Sequence, residues 1–362
     1  MLRIFGSPSR YLQGPGALAR LGETVLSYGS RVLLVADTVV LARYGERFEA
    51  ALERAGLKTR VAAFSGECTA AAVGALTDEA MAFEAGVVVA AGGGKAIDAA
   101  KGACIATGAK IVVVPTVASN DSPTSRLSVI YDEDHVLREV RRLPANPDAI
   151  VVDTSIIVAA PERFFVAGIG DAISKKFEGA QNMGAGGDNF YGAKPSFLSI
   201  QLADACFDTL MRHGEGALAA LRRGVPDEAF ERTVEATILL SGLAFENAGL
   251  SIAHSLTRGL SAIPALHGAL HGEEVAYGLL VQLFMEGRDR AFIQEIASFY
   301  RRVGLPLSLR DMGCEADPAA IAPTIAKVTW ERAPYVRNLV APVDEARLAR
   351  AVLAVEALSA RR

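Results

Sequence analysis

GVVVAAGGGKAIDAAK occupies Gly86–Lys101 and combines an apolar run, three glycines and a helical pattern. Val87–Ala91 is typical of a fully buried β-strand and is too short to be a helix of its own. Gly92–Gly94 follows, and the residues after Lys95 have apolar spacing close to that of an α-helix. Glycines let a ligand approach the backbone, and the free N–H groups and dipole of a helix start favour an anion. The sequence therefore predicts a phosphate-binding turn between a strand and a helix.

The glycine run differs from both common phosphate-binding motifs. The spacing before Lys95, and the lack of Ser or Thr directly after it, exclude a Walker loop. The order GGGKAI also differs from GxGxxG, the dinucleotide-binding fingerprint. Two interpretations stay open: the run binds the pyrophosphate of a dinucleotide, or it is a tight turn without a ligand. The preceding strand and the following helix favour the pyrophosphate.

Strand patterns alternate with helical patterns on both sides of the glycine run, and all but the polar-flanked run Thr59–Phe64 are typical of buried strands. The strands are predicted at Arg31–Ala36, Thr59–Phe64, Val87–Ala91, Ile111–Val114 and Ala149–Val152. This alternation predicts a parallel sheet with helices on both faces, that is, a Rossmann-like α/β domain. Ligands of such sheets bind beyond the carboxyl ends of the strands, where Asp37, Gly92–Lys95 and Pro115–Ser119 fall.

Asp37 comes directly after one of these strands. A carboxylate at a strand end accepts both ribose hydroxyls of adenosine and repels a 2′-phosphate, which favours NAD over NADP. The usual fingerprint places this acid about twenty residues after the glycines, whereas Asp37 precedes them. The alternative interpretation is that Asp37 only caps the helix that follows it.

The composition excludes several classes of protein. The chain has 362 residues, is 51% hydrophobic and carries a net charge of −4. These values predict two domains and argue against nucleic acid or an anionic membrane as partner. No apolar run has the length of a bilayer span, and the N-terminus lacks the apolar core of a signal peptide. The four cysteines show no CxxC spacing, which excludes a four-cysteine zinc site and suits the cytoplasm.

The chain changes character after about Asp153, because almost no strand signal follows Pro161. Helices are predicted at Asp171–Ala180, Ser196–Leu221, Glu228–Ala248, Ile252–Leu260, Glu273–Glu286, Ala291–Val303, Pro318–Lys327 and Asp344–Ala360. We therefore predict an N-terminal α/β domain over residues 1–157 and an all-helical C-terminal domain over residues 158–362.

Three of the five histidines, His254, His267 and His271, lie close together in the helical half. His267 and His271 would share a face if one helix carried both. Asp171 lies in the glycine-containing run AGIGDAIS, at a predicted helix start. Two imidazoles and a carboxylate with an open fourth position are ligands of catalytic zinc. The alternative is that these histidines are satisfied core residues, and the spacing leaves both interpretations open.

Several runs together resemble the glycerol dehydrogenases, a zinc-dependent branch of the iron-containing alcohol dehydrogenase superfamily. The matching runs are GGGKAIDAAK, VPTVASNDSPTSRLSVIY, FVAGIGDAIS, LLSGLAFENAGLSIAHSLTRGL and LHGEEVAYGLLVQL. The resemblance implies an α/β nucleotide domain followed by a helical domain, an architecture shared with 3-dehydroquinate synthase. It also implies NAD and Zn²⁺ as cofactors, a small polyol or hydroxyketone as substrate, and a homo-oligomer.

The resemblance assigns roles to individual residues. Asp171, His254 and His271 are the implied metal ligands, and His267 lies near the metal without binding it. Asp121 and Asp171 are the implied catalytic residues. Asp121 would bind the second substrate hydroxyl or relay a proton, and its alternative role is to order its loop. Cofactor contacts are implied for Asp37, Gly94, Lys95, Thr116, Ser119, Ser125, Leu127 and Tyr131, to which we add Gly93 and Asp98 from the same glycine-containing run.

One departure from the family pattern lies directly after His254. Family members often have His-Ala-Ile-His-Asn-Gly, whereas this chain has His-Ser-Leu-Thr-Arg-Gly over residues 254–259. Thr257 replaces the second histidine, and Arg258 places a bulky cation close to the predicted metal. An arginine there would admit an acidic or phosphorylated substrate.

The implied reaction is reversible hydride transfer between NAD and a vicinal diol, such as glycerol to dihydroxyacetone. Alternatives are reduction of a related hydroxyketone or 2-oxo acid, and a lyase similar to 3-dehydroquinate synthase. The lyase is disfavoured because such a site needs several cations to hold a carboxylate and a phosphate of its substrate. Near the predicted metal ligands of this chain, Lys175 and Arg258 are the only obvious cations. A nucleotide-binding protein without catalysis is disfavoured because the metal ligands are intact.

Overall fold

The computed structural model describes residues 2–133 and 137–359. They form two compact units, which we call the sheet unit and the helical unit. The sheet unit consists of Gly6–Pro161 and Ala220–Gly242. Within the described part of the chain, the helical unit consists of residues 2–5, Glu162–Ala219 and residues 243–359.

The strands belong to the sheet unit. In chain order they are β1 (Tyr11–Gly14), β2 (Arg31–Asp37), β3 (Lys58–Phe64), β4 (Val87–Gly92), β5 (Lys110–Pro115), β6 (Leu127–Tyr131), β7 (Leu137–Arg142) and β8 (Ala149–Asp153). One parallel sheet has the order β1–β8–β5–β4–β2–β3, and β6 pairs with β7 in an antiparallel ribbon. The predicted Rossmann-like parallel sheet is confirmed.

The helices follow the strands in the sheet unit and make up most of the helical unit. They are α1 (Leu21–Leu26), α2 (Thr38–Glu53), α3 (Ala70–Ala82), α4 (Gly94–Thr107), α5 (Thr154–Ile157), α6 (Glu162–Ala172), α7 (Lys175–Gly184), α8 (Phe197–Arg223), α9 (Glu228–Glu235), α10 (Ser241–Ala248), α11 (Ile252–Leu260), α12 (His271–Glu286), α13 (Arg290–Val303), α14 (Pro318–Arg332) and α15 (Glu345–Ser359). A π-helical turn, Ala236–Leu240, joins α9 to α10.

The sheet has an apolar core on each face, because side chains alternate along every strand. Leu33 and Val35 of β2 pack into one core cluster, whereas Val32 and Leu34 pack into the other. β4 is buried along its whole length. This two-sided burial explains why the strands read as continuous apolar runs in the sequence.

The strand order reverses between β2 and β4, because β3 lies on one side of β2 and β4 on the other. Ligands of open α/β sheets bind at such a reversal, beyond the carboxyl ends of the strands. β2 ends at Asp37 and β4 at Gly92, and a Cβ atom on Gly92 would lie 4.0 Å from the Cβ of Asp37. The two strand ends predicted to bind the cofactor are therefore neighbours.

Residues 220–242 were predicted to belong to the helical domain, but they are part of the sheet unit. The Glu231 carboxylate of α9 accepts hydrogen bonds from the side chains of Gln13 (2.7 Å) and Thr154 (2.6 Å). Thr124 also donates to the carbonyl oxygen of Ile238 at 2.6 Å. These contacts join the segment to β1, to α5 and to the loop before β6. The first long segment of the sheet unit ends at Pro161, whereas the sequence predicted a boundary after residue 157.

Among the described helices, no single one has both the length and the composition needed to cross a bilayer. The pair Glu228–Ala248 and Ile252–Leu260 has both only when the two are taken together, and it is bent by 97°.

Candidate functional site

Three helices of the helical unit carry the predicted metal ligands. Asp171 is on α6, His254 on α11 and His271 on α12. Asp171 was predicted at a helix start, but it is the second-last residue of α6. The buried residues Phe165 and Ile169 precede Asp171 on the same helix. The apolar helical pattern therefore begins before Asp171 and includes it.

No single helix carries both His267 and His271, so the condition under which they would share a face is not met. His267 ends the 3₁₀ turn Pro264–Leu266, whereas His271 is the first residue of α12. Leu270 is extended, and the Glu273 carboxylate accepts from its N–H at 2.7 Å, which fixes the start of α12. The His267 side chain is instead directed to the carbonyl oxygen of Ser261, 3.1 Å from its Nε2. His267 is therefore separate from the cluster formed by the other three side chains.

Asp171, His254 and His271 meet at one point. Each offers a ligand atom, and these atoms lie within 4.8 Å of one another. Asp171 Oδ1 is 3.2 Å from His254 Nε2 and 4.0 Å from His271 Nε2. The Asp171 side chain is 1% exposed, that of His254 11% and that of His271 46%, so the cluster has one open side.

Backbone contact between α6 and α12 sets the distance between Asp171 and His271. A Cβ atom on Gly170 would lie 2.4 Å from the carbonyl oxygen of Gly272. A Cβ atom on Gly272 would lie 1.8 Å from the carbonyl oxygen of Ala167. Since these glycines are adjacent to the two ligands in sequence, only residues without a side chain allow the ligands to approach this closely.

A third glycine makes the same kind of contact between α12 and α11. A Cβ atom on Gly278 would lie 2.4 Å from the carbonyl oxygen of Ala253, the residue before His254. The helix that carries His271 is therefore packed backbone to backbone against both other ligand helices.

The cluster fits a divalent metal ion in two respects. Two imidazoles and one carboxylate are a donor set typical of catalytic zinc, and also of non-haem iron. Asp171 Oδ2 is buried and has no hydrogen-bond partner among the described residues. A buried carboxylate oxygen is costly to leave unpaired, and a metal ion would satisfy it.

Glu178 supports His254 and was not singled out from the sequence. Its Oε2 lies 2.5 Å from His254 Nδ1, and its Oε1 accepts from the backbone N–H groups of His254 (3.0 Å) and Ser251 (2.9 Å). Ser174 donates to Oε2 at 3.0 Å. A carboxylate on Nδ1 orients the ring so that Nε2 faces Asp171, which is how metal-binding histidines are usually held.

Lys175, the first residue of α7, contacts two members of the cluster. Its Nζ lies 2.6 Å from Asp171 Oδ1 and 3.0 Å from His254 Nε2. Its side chain is 1% exposed. The ammonium group therefore neutralises Asp171 from the buried side.

The charges in the cluster shift its pKa values. Burial disfavours the ionised carboxyl of Asp171, but Lys175 and the two imidazoles hold its pKa well below the usual range. Burial also disfavours protonated His254, yet the Glu178 and Asp171 carboxylates raise the pKa of this ring to about 8. Desolvation and neighbouring cations, among them Lys175, lower the pKa of His271 to about 4. His271 is thus neutral near pH 7, the form that binds metal.

The glycine run of the sheet unit ends β4 and begins α4. Gly93 is the N-cap of α4 and provides no side-chain cap, so the first N–H groups of this helix are available to an anion. A Cβ atom on Gly94 would lie 2.9 Å from Asn120 Nδ2, so a side chain at this position would have to displace the Asn120 amide. The Lys95 ammonium lies 2.8 Å from a Glu67 carboxylate oxygen, and its side chain is half exposed.

Asp37 is the N-cap of α2, and its Oδ1 accepts from the N–H of Val39 at 2.8 Å. Asp37 therefore does cap α2, as one of the two interpretations predicted. The hydrogen bond from Val39 uses Oδ1 of Asp37. It is compatible with a ribose bound to the other carboxylate oxygen.

Asp98 and Lys101 form a buried network beneath the loop before β6. Asp98 accepts from Ser122 Oγ at 2.6 Å and from the N–H of Val129 at 3.1 Å. Lys101 Nζ donates to the carbonyl oxygens of Ser122 (2.6 Å) and Leu127 (2.9 Å). Asp98, predicted to contact the cofactor, thus directs its carboxylate to this loop. Burial raises the pKa of Asp98, and Lys101 opposes that rise.

Most other predicted cofactor residues lie along this loop and its flanking strands. Thr116 follows β5, and its N–H donates to the carbonyl oxygen of Gly92 at 3.1 Å. Ser125 is buried and contacts Lys101 Nζ through its Oγ at 3.3 Å, whereas Ser119 is partly buried. Leu127 and Tyr131 begin and end β6.

Asp121 lies on the same loop. Its Oδ2 accepts a hydrogen bond from Ser241 Oγ at 2.8 Å. The loop-ordering interpretation of Asp121 is therefore consistent with this contact. The substrate-binding interpretation stays a prediction.

Comparison with known proteins places the chain in a family. The sequence model of the family described as iron-containing alcohol dehydrogenase matches residues 8–154. A glycerol dehydrogenase of Escherichia coli O6:H1 is 36% identical over 339 residues, which are 94% of this chain and 92% of that protein. The chain therefore belongs to the iron-containing alcohol dehydrogenase family, and it is an oxidoreductase.

Two further relatives show how the similarity extends. A glycolaldehyde reductase of Halobacterium salinarum is 36% identical over 361 residues, covering 100% of this chain and 99% of that protein. The crystal structure of a probable glycerol dehydrogenase from Sinorhizobium meliloti 1021 has a TM-score of 0.94 and 38% identity, with 100% of both chains covered. The predicted fold and the resemblance to glycerol dehydrogenases are both confirmed.

Proposed function

We propose that this protein catalyses NAD-dependent, metal-assisted oxidation of a vicinal diol such as glycerol to the hydroxyketone, and the reverse reduction. The observation that carries the proposal is the convergence of Asp171, His254 and His271 on one point, with Asp171 Oδ2 unpaired among the described residues. The similarity to glycerol dehydrogenases over nearly the whole chain supports a polyol as substrate.

The residues of the cluster would hold a zinc ion. Asp171, His254 and His271 supply the ligands, and Glu178 keeps Nε2 of His254 directed toward the ion. When bound, the metal supplies Lewis acidity that lowers the pKa of the reacting hydroxyl group. The exposed side of His271 gives the substrate its access.

The sheet unit would bind NAD. The N-terminus of α4, with Gly93 and Gly94, would receive the pyrophosphate, and Asp37 the adenosine ribose. The proposed cofactor site is completed by six further residues, namely Lys95, Thr116, Ser119, Ser125, Leu127 and Tyr131. Asp98 serves it indirectly, by holding the loop that carries Ser122. Asp121 would contact the second hydroxyl of the substrate.

Steady production of NADH from glycerol, measured by absorbance with and without added Zn²⁺, tests the proposal. Dihydroxyacetone, glycolaldehyde and other 1,2-diols belong in the same screen. Loss of activity with a chelator and its return with Zn²⁺ would support the metal. Turnover of a phosphorylated acid with no net NADH would instead indicate the lyase.

Asp37→Ala is expected to relax discrimination against NADP. The carboxylate repels a 2′-phosphate and binds the ribose hydroxyls, so its removal should raise KM for NAD and lower KM for NADP. Steady-state kinetics with both cofactors measures the ratio of kcat/KM. Asp37→Asn keeps the cap of α2 better than alanine and controls for helix stability. An unchanged ratio in both variants would remove Asp37 from the ribose site.

Arg258 favours a second candidate substrate, a 2-hydroxy acid and its 2-oxo acid. It lies one turn after His254 on α11, so the two side chains share a face. Desolvation is the main cause of the lowered pKa of His271, and the charge of Arg258 contributes to it in the same direction. A guanidinium there matches a carboxylate geometrically.

Arg258→Asn restores the residue common in the family and separates the two substrate classes. If the substrate is a hydroxy acid, kcat/KM for the acid should fall by about 10- to 100-fold, the value of one charge-assisted hydrogen bond. The kcat/KM for glycerol should change little or rise. A matched comparison of glycerate and glycerol with both proteins measures the ratio. An unchanged ratio would remove Arg258 from substrate selection.

A further inference from the structure

Lys175 lies where a divalent ion would compete with it. Its Nζ is 2.6 Å from Asp171 Oδ1 and 3.0 Å from His254 Nε2, and these two atoms are themselves 3.2 Å apart. His254 Nε2 is a proposed metal ligand, and Oδ1 belongs to the Asp171 carboxylate, whose other oxygen, Oδ2, has no partner among the described residues. Lys175 Nζ, Asp171 Oδ1 and His254 Nε2 therefore all lie within 3.2 Å of one another. The ammonium group contacts two of the three residues that are proposed to bind the metal.

The surroundings of Lys175 hold it at this position. Its side chain is 1% exposed, and its Nζ lies 5.4 Å from the centre of the Phe245 ring. A buried ammonium is stable only when carboxylates or other acceptors neutralise it. Asp171 provides that neutralisation here, so the lysine and a metal ion draw on the same negative charge.

We propose that Lys175 is a built-in competitor for the metal ion, and this rests on the proposed metal site. In the metal-free protein its ammonium neutralises Asp171 and contacts His254. A divalent ion bound by Asp171 and His254 displaces the ammonium from His254 Nε2 and competes with it for the charge of Asp171, because two cations cannot share these groups at low cost in a buried site. Lys175 thereby stabilises the metal-free fold and weakens metal binding.

The test compares the wild-type protein with Lys175→Met, which keeps the length of the side chain and removes its charge. The dissociation constant for Zn²⁺ is measured at one fixed pH by competition with a chromophoric chelator. We expect Lys175→Met to bind Zn²⁺ at least about tenfold more tightly, because one cation close to the site is gone. This readout does not depend on catalytic activity.

Thermal unfolding is the second readout, and in the absence of metal it should show Lys175→Met to be less stable than the wild type. Without metal, Lys175→Met should melt at a lower temperature than the wild type, because Asp171 is left uncompensated. With saturating Zn²⁺, its melting temperature should rise by more than that of the wild type. A lysine that is only structural would lower both melting temperatures equally, and that result would overturn the proposal.

Two further variants make the experiment decisive. Lys176→Met removes the neighbouring lysine, whose Nζ pairs with Asp204 at 3.3 Å, and it should leave the Zn²⁺ affinity unchanged. Lys175→Gln removes the charge but keeps an amide donor for Asp171, and it replaces Lys175→Met if that variant does not fold.

Equal or weaker Zn²⁺ binding by the Lys175 variants would overturn the competition, while leaving the metal site in place. Absence of Zn²⁺ binding by the wild type and the variants alike would overturn the metal site itself, and the proposed function with it.

Discussion

Replacing His271 with alanine is expected to abolish metal binding and lower kcat by more than about 100-fold, since even a residue that only supports a metal ligand typically accounts for 10- to 100-fold in affinity or activity. NAD affinity should not change, because the proposed cofactor site is in the sheet unit. Metal content by mass spectrometry, turnover of glycerol and NAD titration by fluorescence measure the three quantities separately.

His271 is the best ligand for this test because its removal leaves the rest of the cluster intact. Its side chain is 46% exposed, whereas Asp171 and His254 are held in a buried network with Glu178 and Lys175. The fold should therefore survive, as circular dichroism can verify. His267→Ala is the matched control, because this histidine is nearby in sequence but outside the cluster. Wild-type metal content in His271→Ala would exclude His271 as a ligand.

The sheet could be predicted because its signal is local. β2, β4 and β5 are buried on both faces, so each appears in the sequence as an apolar run between helical patterns. The division into units was harder to predict. Residues 220–242 are helical like their neighbours, and only the side-chain contacts of Glu231 with Gln13 and Thr154 bring them to the sheet.

The three residues of the cluster could be singled out from the sequence by residue type, but the residues that support them could not all be. Histidines and an aspartate near glycines are visible in a sequence, and Gly170 and Gly272 lie directly beside two of the ligands. Glu178 appears in the sequence as an ordinary charge on a helix, and Lys175 is recognised there only as a cation near the predicted metal. Their roles depend on side-chain contacts between α7 and α11, since Glu178 lies at Nδ1 and Lys175 at Nε2 of the His254 imidazole. No sequence spacing encodes those contacts.

Asp98 illustrates a similar limit on the cofactor side. Its place in GGGKAIDAAK suggested contact with the ligand, yet it is on the fifth position of α4 and directed to Ser122 and Val129. Lys101, one turn later, completes the network from the same helix face. A pair of opposite charges spaced by three residues inside an alanine-rich buried helix is the signal that sequence reasoning could have used.

Lys101→Met is expected to lower the free energy of unfolding by about 3–5 kcal/mol, the usual effect of removing one partner of a buried ion pair. The Lys101 side chain is fully buried, and its Nζ donates to the carbonyl oxygens of Ser122 and Leu127. Without it, these oxygens lose a donor and the buried carboxylate of Asp98 loses its cation. Urea unfolding followed by circular dichroism, in the absence of cofactor, measures the loss.

Two further variants assign this loss to the buried pair. Lys110→Met removes an exposed lysine whose Nζ lies 2.9 Å from Asp148, and it should change stability by no more than about 1 kcal/mol. Asp98→Asn combined with Lys101→Met should be more stable than Lys101→Met alone, because no buried charge remains unpaired. A single Lys101→Met variant as stable as Lys110→Met would show that the network does not hold the loop.

The loss in Lys101→Met should also depend on pH. Burial raises the pKa of Asp98, and removing the lysine raises it further, so the folded variant keeps a proton that the unfolded chain releases. A folded-state pKa above the unfolded value gives stability that disappears as pH rises through it. The difference between wild type and variant should therefore be smaller at pH 5 than at pH 8. A difference that is constant with pH would mean that the lost carbonyl contacts, and not the Asp98 charge, account for the effect.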